Sequence, residues 1–410
     1  MQATHDVLIA GGSFAGLALA LALVRAEGGG PEVAVVERGR LDADGGAGSD
    51  PRAFSLAAGS RRLLEEIGVW GDLADAVQPV SAVDITDSAL DDALRPVLLS
   101  YDTSGDGDPQ MLIVEADALR RALVRAVLQE PRIMLVEAAE VAGIAEAPGG
   151  REVTLRGGGR RLARLLVGAD GARSQVRAMV GIGVVGGSYR QRGIAVIVGH
   201  ERDHDGRAVQ HFLPGGPFAL LPLPGRRSCI TWSEDEARAQ EIMALGDDAF
   251  LEEAQKRAGW KLGALSLSGR RASWPLGSHL ARALVAPRLA LVGDAARNVH
   301  PIAGQGVNLG FRDVAALAEA VVDGMRLGLE AGDAAVLARY ERWRRADGVQ
   351  SAAAFTALNR LFSNDSAVLR TIRDAGLGMV DRLPGLKGLL VAEAAGATGD
   401  VPRLLRGEAL

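Results

Sequence analysis

Val7-Leu8-Ile9-Ala10-Gly11-Gly12-Ser13-Phe14-Ala15-Gly16-Leu17-Ala18-Leu19-Ala20 passes from an apolar run, through a glycine-rich turn, into an alanine- and leucine-rich helical pattern. The run predicts a buried strand over Val7 to Ala10, the pattern a helix reaching Ala26, and Val33 to Val36 a second strand. Together they make a parallel βαβ unit. A glycine-rich turn between strand and helix lets backbone N–H groups and the helix N-terminus approach a pyrophosphate. Gly11 and Gly16 hold the first and third positions of that pattern, and Ser13 stands at the second, small enough for close approach, with Gly12 beside it. Glu37 follows the second strand, where a carboxylate can accept hydrogen bonds from a ribose diol. Alone, the unit does not separate FAD from NAD, and a tight turn with no ligand has the same local pattern.

Length and composition suit such a frame. The 410 residues exceed one ordinary core, so two lobes, or a large α/β domain with an inserted sheet, are expected. Hydrophobic residues are 48% and charged residues 24%, near the globular average, while 53 glycines imply many close backbone approaches. The formal net charge of -5 and scattered basic residues argue against nucleic acid. The single cysteine, Cys229, removes disulfide, iron–sulfur and cysteine-rich zinc chemistry, and no metal is expected. The start of the chain carries no signal-peptide pattern, and apolar runs such as Leu17 to Val24 fall short of the roughly 20 residues that cross a bilayer, so a cytoplasmic protein is expected.

Further along, the period changes. Gly39 to Asp50 reads as a loop and Ala57 to Ile67 as a helix. From Ser81 to Leu99, and again from Arg192 to Ser233, short alternating runs between Pro/Gly turns predict an inserted antiparallel sheet. Leu289 to Val292 returns to the buried-strand style, and helical periodicity dominates from Asp313 to about Val380. Two more segments place an Asp beside a Gly at a strand end: Val167-Gly168-Ala169-Asp170-Gly171 and Leu291-Val292-Gly293-Asp294. The second continues through His300-Pro301-Ile302-Ala303-Gly304-Gln305-Gly306-Val307-Asn308 into a helix, whose start offers N–H groups to a developing negative charge.

In this order the motifs resemble those of the ubiquinone-biosynthesis FAD-dependent hydroxylases, a branch of the para-hydroxybenzoate hydroxylase fold group. The likeness runs from the first strand to the C-terminus and includes Arg52-Ala53, Val114-Glu115, Gly216 to Leu223 and Arg360 to Asn364. It implies an α/β fold: a discontinuous Rossmann-like FAD-binding domain (1–77, 106–183 and 284–345), an inserted antiparallel-sheet substrate domain (78–105 and 184–283) and a helical C-terminal segment (346–410). Carried over, Gly11, Gly12, Ser13, Phe14, Ala15 and Gly16 face the FAD pyrophosphate, Glu37 the adenosine ribose, and Arg52 the phosphate or ribose region. Asp294 binds the ribityl chain. Pro301, Gly304, Gln305, Gly306, Val307 and Asn308 run along the isoalloxazine, with the Val307 and Asn308 amides at its pyrimidine edge. Asp170 belongs to a segment serving FAD and transiently bound NAD(P)H. Arg297 stands where the family often has His, and Ala116 where Asn is frequent.

The resemblance implies an aromatic-ring monooxygenase in which a flavin C4a-hydroperoxide, formed from O2, hydroxylates a polyprenylated phenol, with NAD(P)H or a protein electron donor as reductant. His211, Leu220, Pro222 and Trp232 are then substrate contacts, and His300 is a candidate catalytic side chain or a polar loop residue. A lipid-soluble substrate implies peripheral contact with the inner face of a membrane or with a quinone-biosynthesis assembly, and the apolar run Leu377 to Val391 is the candidate surface. A hydroxylase of a small soluble aromatic and a flavin-binding accessory subunit without turnover are the alternatives.

Overall fold

The computed structural model describes residues 3–43, 50–87, 90, 96–103, 109–213, 215–299, 306–345 and 400–410. Strand β1 (Ala3–Ala10), helix α1 (Phe14–Val24) and strand β2 (Val33–Val36) form the opening unit, and β1 and β2 pair in parallel with Ala10 opposite Val36. Helix α1 is buried from Gly16 to Val24, which explains its lack of a polar face. Strand β3 (Ala53–Ala57) leads into α2 (Ala58–Glu66). Strand β4 (Val77–Pro79) precedes β5 (Ala82–Asp87) and β6 (Leu99–Asp102), and β7 (Met111–Glu115) runs directly into α3 (Ala116–Leu128). Strands β3, β7 and β4 make a small antiparallel sheet of their own.

Strand β8 (Ile133–Val136) extends the first sheet beside β2. The meander β9 (Val141–Ala147), β10 (Gly150–Leu155) and β11 (Arg160–Gly168) then brings β11 alongside β1 in parallel. After α4 (Gln175–Met179) comes β12 (Val184–His200), followed by β13 (Arg207–Leu213), β14 (Gly216–Leu223) and β15 (Arg227–Asp235). Helices α5 (Glu236–Ala244) and α6 (Asp247–Ala258), which the alternating pattern does not announce, precede β16 (Leu265–Leu267) and β17 (Ala272–Ala281). Strands β18 (Val285–Ala286) and β19 (Leu289–Leu291) rejoin the first sheet, β20 (Arg297–Asn298) pairs with β17, and α7 (Gly306–Arg326) follows.

The first sheet therefore has the order β18-β19-β11-β1-β2-β8, and the second β20-β17-β12-β15-β14-β13-β5-β6. The second is antiparallel apart from the β13–β5 pair, which is parallel. Its two faces differ. Ile194, Val196, Phe218, Leu220, Ile230 and Trp232 pack beneath Ile242 of α5 and Phe250 of α6. Ile197, Leu223 and Cys229, on the other face, pack against Ala53 and Ile113 of the small sheet. Among the described residues no helix is long and apolar enough to cross a membrane.

Candidate cofactor site

The carboxyl ends of β1, β2, β11 and β19 meet at one edge of the first sheet, the position where open α/β sheets bind ligands. Gly11 has φ +111°, and a Cβ there would overlap the Ala169 carbonyl, so only glycine lets the turn pass so close to β11. A side chain at Gly16 would overlap the Gly11 carbonyl. Ser13 is the N-cap of α1, but its hydroxyl makes no capping bond, which leaves the helix start open to a ligand. Glu37 accepts from Gly12 N at 2.6 Å and from Gly39 N at 3.0 Å, and each of its oxygens retains a lone pair for a hydroxyl.

Arg52 reaches the same place from the segment before β3. Asp50 grips its guanidinium with bonds of 2.6 to 3.1 Å. Burial works against ionisation of Asp50, yet the bonds and charge of Arg52 prevail and hold the carboxyl below its ordinary value. The guanidinium lies over Phe54 at 5.4 Å and Trp274 at 5.7 Å, and Phe54 meets Phe14 edge-on at 5.1 Å. A line of aromatic and cationic side chains thus runs from the glycine-rich turn to β17.

The turn Gly293–Ala295 closes the site: a Cβ on Gly293 would come 3.1 Å from Ala15. The Asp294 side chain is open to water within the crevice and yet hemmed in by protein. Burial raises its pKa above the ordinary carboxylate value, the charge of Arg52 and a bond from Asn298 oppose the rise, and Asp313 adds to it. Below the turn, Asp313 accepts from Gly293 N at 3.1 Å, from Arg344 Nε at 2.8 Å and from Arg297 Nη2. Arg297 is only 2% exposed and turned inward, so the departure from the family pattern at this position falls on the core rather than on the crevice. Ala116, the other departure, donates its N–H to the Arg52 carbonyl at 2.9 Å.

The side chains of two nominated residues are engaged with protein. Asn308 accepts from Ala57 N at 3.0 Å and Ser60 Oγ at 2.7 Å and donates to the Ser55 carbonyl at 2.7 Å, pinning the start of α7 to the β3–α2 junction. The Asp170 carboxylate accepts from Ser174 Oγ, Gln175 N and Val176 N and so caps α4. Gly306 and Val307 open α7, whereas His300, Pro301, Gly304 and Gln305 lie outside the described residues. His211, Leu220, Pro222 and Trp232 are not brought to Arg52 and Asp294. They share the face of the second sheet covered at Leu220 and Trp232 by α5 and α6, while Trp274 and Cys229 occupy the face turned to Arg52 and Pro51. Sequence reasoning missed Trp274, a lone aromatic with no motif around it, and Arg177, which lies just beyond the Asp170-Gly171 segment on α4 and donates to the Ala172 and Ala295 carbonyls.

The FAD binding domain family matches residues 4–354. The chain belongs to the FAD-binding-domain family. This family member is 41% identical to "Ubiquinone hydroxylase UbiL" of Rhodospirillum rubrum over 98% of its own length and 92% of the relative's. It is 34% identical to "3-demethoxyubiquinol 3-hydroxylase" of Escherichia coli over 95% of this chain and 98% of that one. In fold, the FAD-binding-domain protein is similar to p-nitrophenol 4-monooxygenase PnpA of Pseudomonas putida DLL-E4, with a TM-score of 0.80, 19% identity, and coverage of 96% and 99% of the two chains. The donor set of the crevice fits FAD: an uncapped helix start for phosphate, and two carboxylates and an arginine for hydroxyl and phosphate groups.

Proposed function

We propose that the chain is an FAD-dependent aromatic-ring hydroxylase of ubiquinone biosynthesis, acting on a polyprenylated phenol with O2 and with NAD(P)H or a protein electron donor. The observation that carries this reading is one crevice lined by the open start of α1, Glu37, Arg52 and Asp294, in a chain 41% identical over nearly its whole length to a ubiquinone hydroxylase. When bound, FAD supplies the electron-carrying and oxygen-activating chemistry. Gly11 to Gly16 and the start of α1 receive its pyrophosphate, Glu37 its adenosine ribose, Arg52 the neighbouring phosphate or ribose, and Asp294 the ribityl hydroxyls. The backbone amides of Val307 and Asn308 serve the pyrimidine edge. Asp170 acts by shaping the α4 turn. The residue blocks 1–77, 106–183 and 284–345 hold the cofactor, and 78–105 and 184–283 supply the substrate sheet.

The isoprenoid tail argues for peripheral contact with a membrane or a lipid-handling assembly, since each buried methylene stabilises the apolar phase by about 0.8 kcal/mol. Two measurements test the proposal. A deletion strain is expected to accumulate a polyprenyl phenol lacking one ring hydroxyl, read by mass spectrometry, and the purified protein is expected to float with anionic vesicles. A strain with unchanged quinones, together with turnover of a small water-soluble phenol by the pure protein, would replace the polyprenyl substrate with a soluble aromatic.

A further inference from the structure

His279 belongs to none of the motifs, yet its ring joins two of them. It sits on β17 opposite Asn298 of β20, half-buried, with Nε2 2.9 Å from the Asp294 carbonyl oxygen and 3.2 Å from Arg177 Nη1. Arg177, on α4, donates from Nη1 to the Ala295 carbonyl at 2.8 Å and from Nη2 to the Ala172 carbonyl at 3.0 Å. The carbonyls of Asp294 and Ala295 are thus held by donors from two different elements, one in the second sheet and one behind the Asp170 turn. A carbonyl oxygen only accepts, so the 2.9 Å contact calls for the proton on Nε2 of a neutral imidazole, and Arg177 Nη1, which donates to the Ala295 carbonyl, then lies beside that N–H without bonding it. Burial and, less strongly, the charge of Arg177 lower the His279 pKa against the opposing bond to the Asp294 carbonyl, which favours the neutral ring.

We infer that His279 is a positioning residue for the cofactor: by donating to the Asp294 carbonyl it fixes the Gly293–Ala295 turn and so aims the Asp294 carboxylate into the crevice. The inference rests on the reading of this crevice as the FAD site. His279→Leu removes the donor, His279→Gln restores an N–H at comparable reach, and His279→Asn carries the same amide one methylene short. Equilibrium release of FAD from the holoprotein, followed by flavin fluorescence, is expected to show roughly tenfold weaker binding for H279L and H279N, the usual consequence of one lost hydrogen bond, and near wild-type binding for H279Q. Hydrogen exchange at the Gly293–Ala296 amides is expected to rise in H279L and H279N and to return in H279Q. H279L and H279N that bind FAD and exchange like wild type would overturn the inference, as would an H279Q as weak as H279N. If H279L does not fold, the H279N and H279Q pair decides. A wild type that retains no FAD would strike the flavoprotein reading instead, and the exchange measurement would still decide the role of His279.

Discussion

Asp294 carries two opposed requirements in one side chain. Burial raises its pKa above the unfolded carboxylate value, with Asp313 adding to the shift and Arg52 and Asn298 resisting it. The stability of the cofactor-free fold is therefore fully present below the unfolded value and is reduced as pH rises through the folded value, because the unfolded chain gives up its proton first. Above the unfolded value this carboxyl therefore lowers the stability of the cofactor-free fold, a cost that cofactor binding offsets. Asp294→Asn is expected to raise the Tm of the cofactor-free protein at pH 7 while weakening FAD by about 1.5–3 kcal/mol, the contribution of a hydrogen bond to a charged group. Melting curves and flavin titrations of both proteins check this, and a variant that melts no higher contradicts the assignment. Cys229 shows how burial quiets a reactive group: its Sγ lies 3.4 Å from the Pro51 carbonyl, and burial pushes the thiol up to about 12. It is expected to resist iodoacetamide at pH 8 in the native protein and to be alkylated once guanidinium unfolds the chain, as mass spectrometry would register.

At the scale of elements, the start of α7 is held by side chains far away in sequence. Asn308 satisfies the Ala57 amide, the Ser60 hydroxyl and the Ser55 carbonyl, all in buried surroundings, so Asn308→Ala leaves polar groups unpaired. A loss of about 2–4 kcal/mol is expected, measured as a lower urea midpoint at unchanged slope. Asp313 joins α7 to the Gly293 amide, to Arg297 of β20 and to Arg344 in the helical residues 334–345. Asp313→Asn takes away the carboxylate that both guanidiniums share within the core. It is expected to cost about 3–5 kcal/mol, and chemical denaturation would show it, whereas a change below about 1 kcal/mol would mean the cluster is not desolvated as its burial indicates.

For the whole molecule, the crevice gathers segments that are remote along the chain: the first turn, the end of β2, the stretch before β3, and the turn after β19. A ligand that touches all of them binds only the folded state. Removing FAD is therefore expected to lower the Tm, and restoring it at a hundredfold excess over Kd to return about 2.7 kcal/mol. Differential scanning fluorimetry of deflavinated and reconstituted protein measures the shift, and an unchanged Tm would count against a cofactor spanning these elements.

The opening βαβ unit was legible because its cause is local. An unbroken apolar strand, a turn only glycine can make at Gly11 and Gly16, and a helix apolar all round each follow from neighbours in sequence. The order of the Asp-bearing segments and their place at strand ends could be read for the same reason. The inward face of the second sheet could not. Phe218-Ala219-Leu220-Leu221 is apolar on both sides of β14, so alternation carries no signal there, and the docking of α5 and α6 decides which side chains are sealed away. The side-chain duties of Asp170 and Asn308, the inward turn of Arg297, and the meeting of Trp274 with Arg52 and of His279 with Asp294 depend on contacts between residues far apart in the chain. Sequence determined which groups are present and which strand ends carry them. Only tertiary packing decided which of those groups remain free to meet a cofactor, because a buried polar side chain takes the partner that folding brings to it.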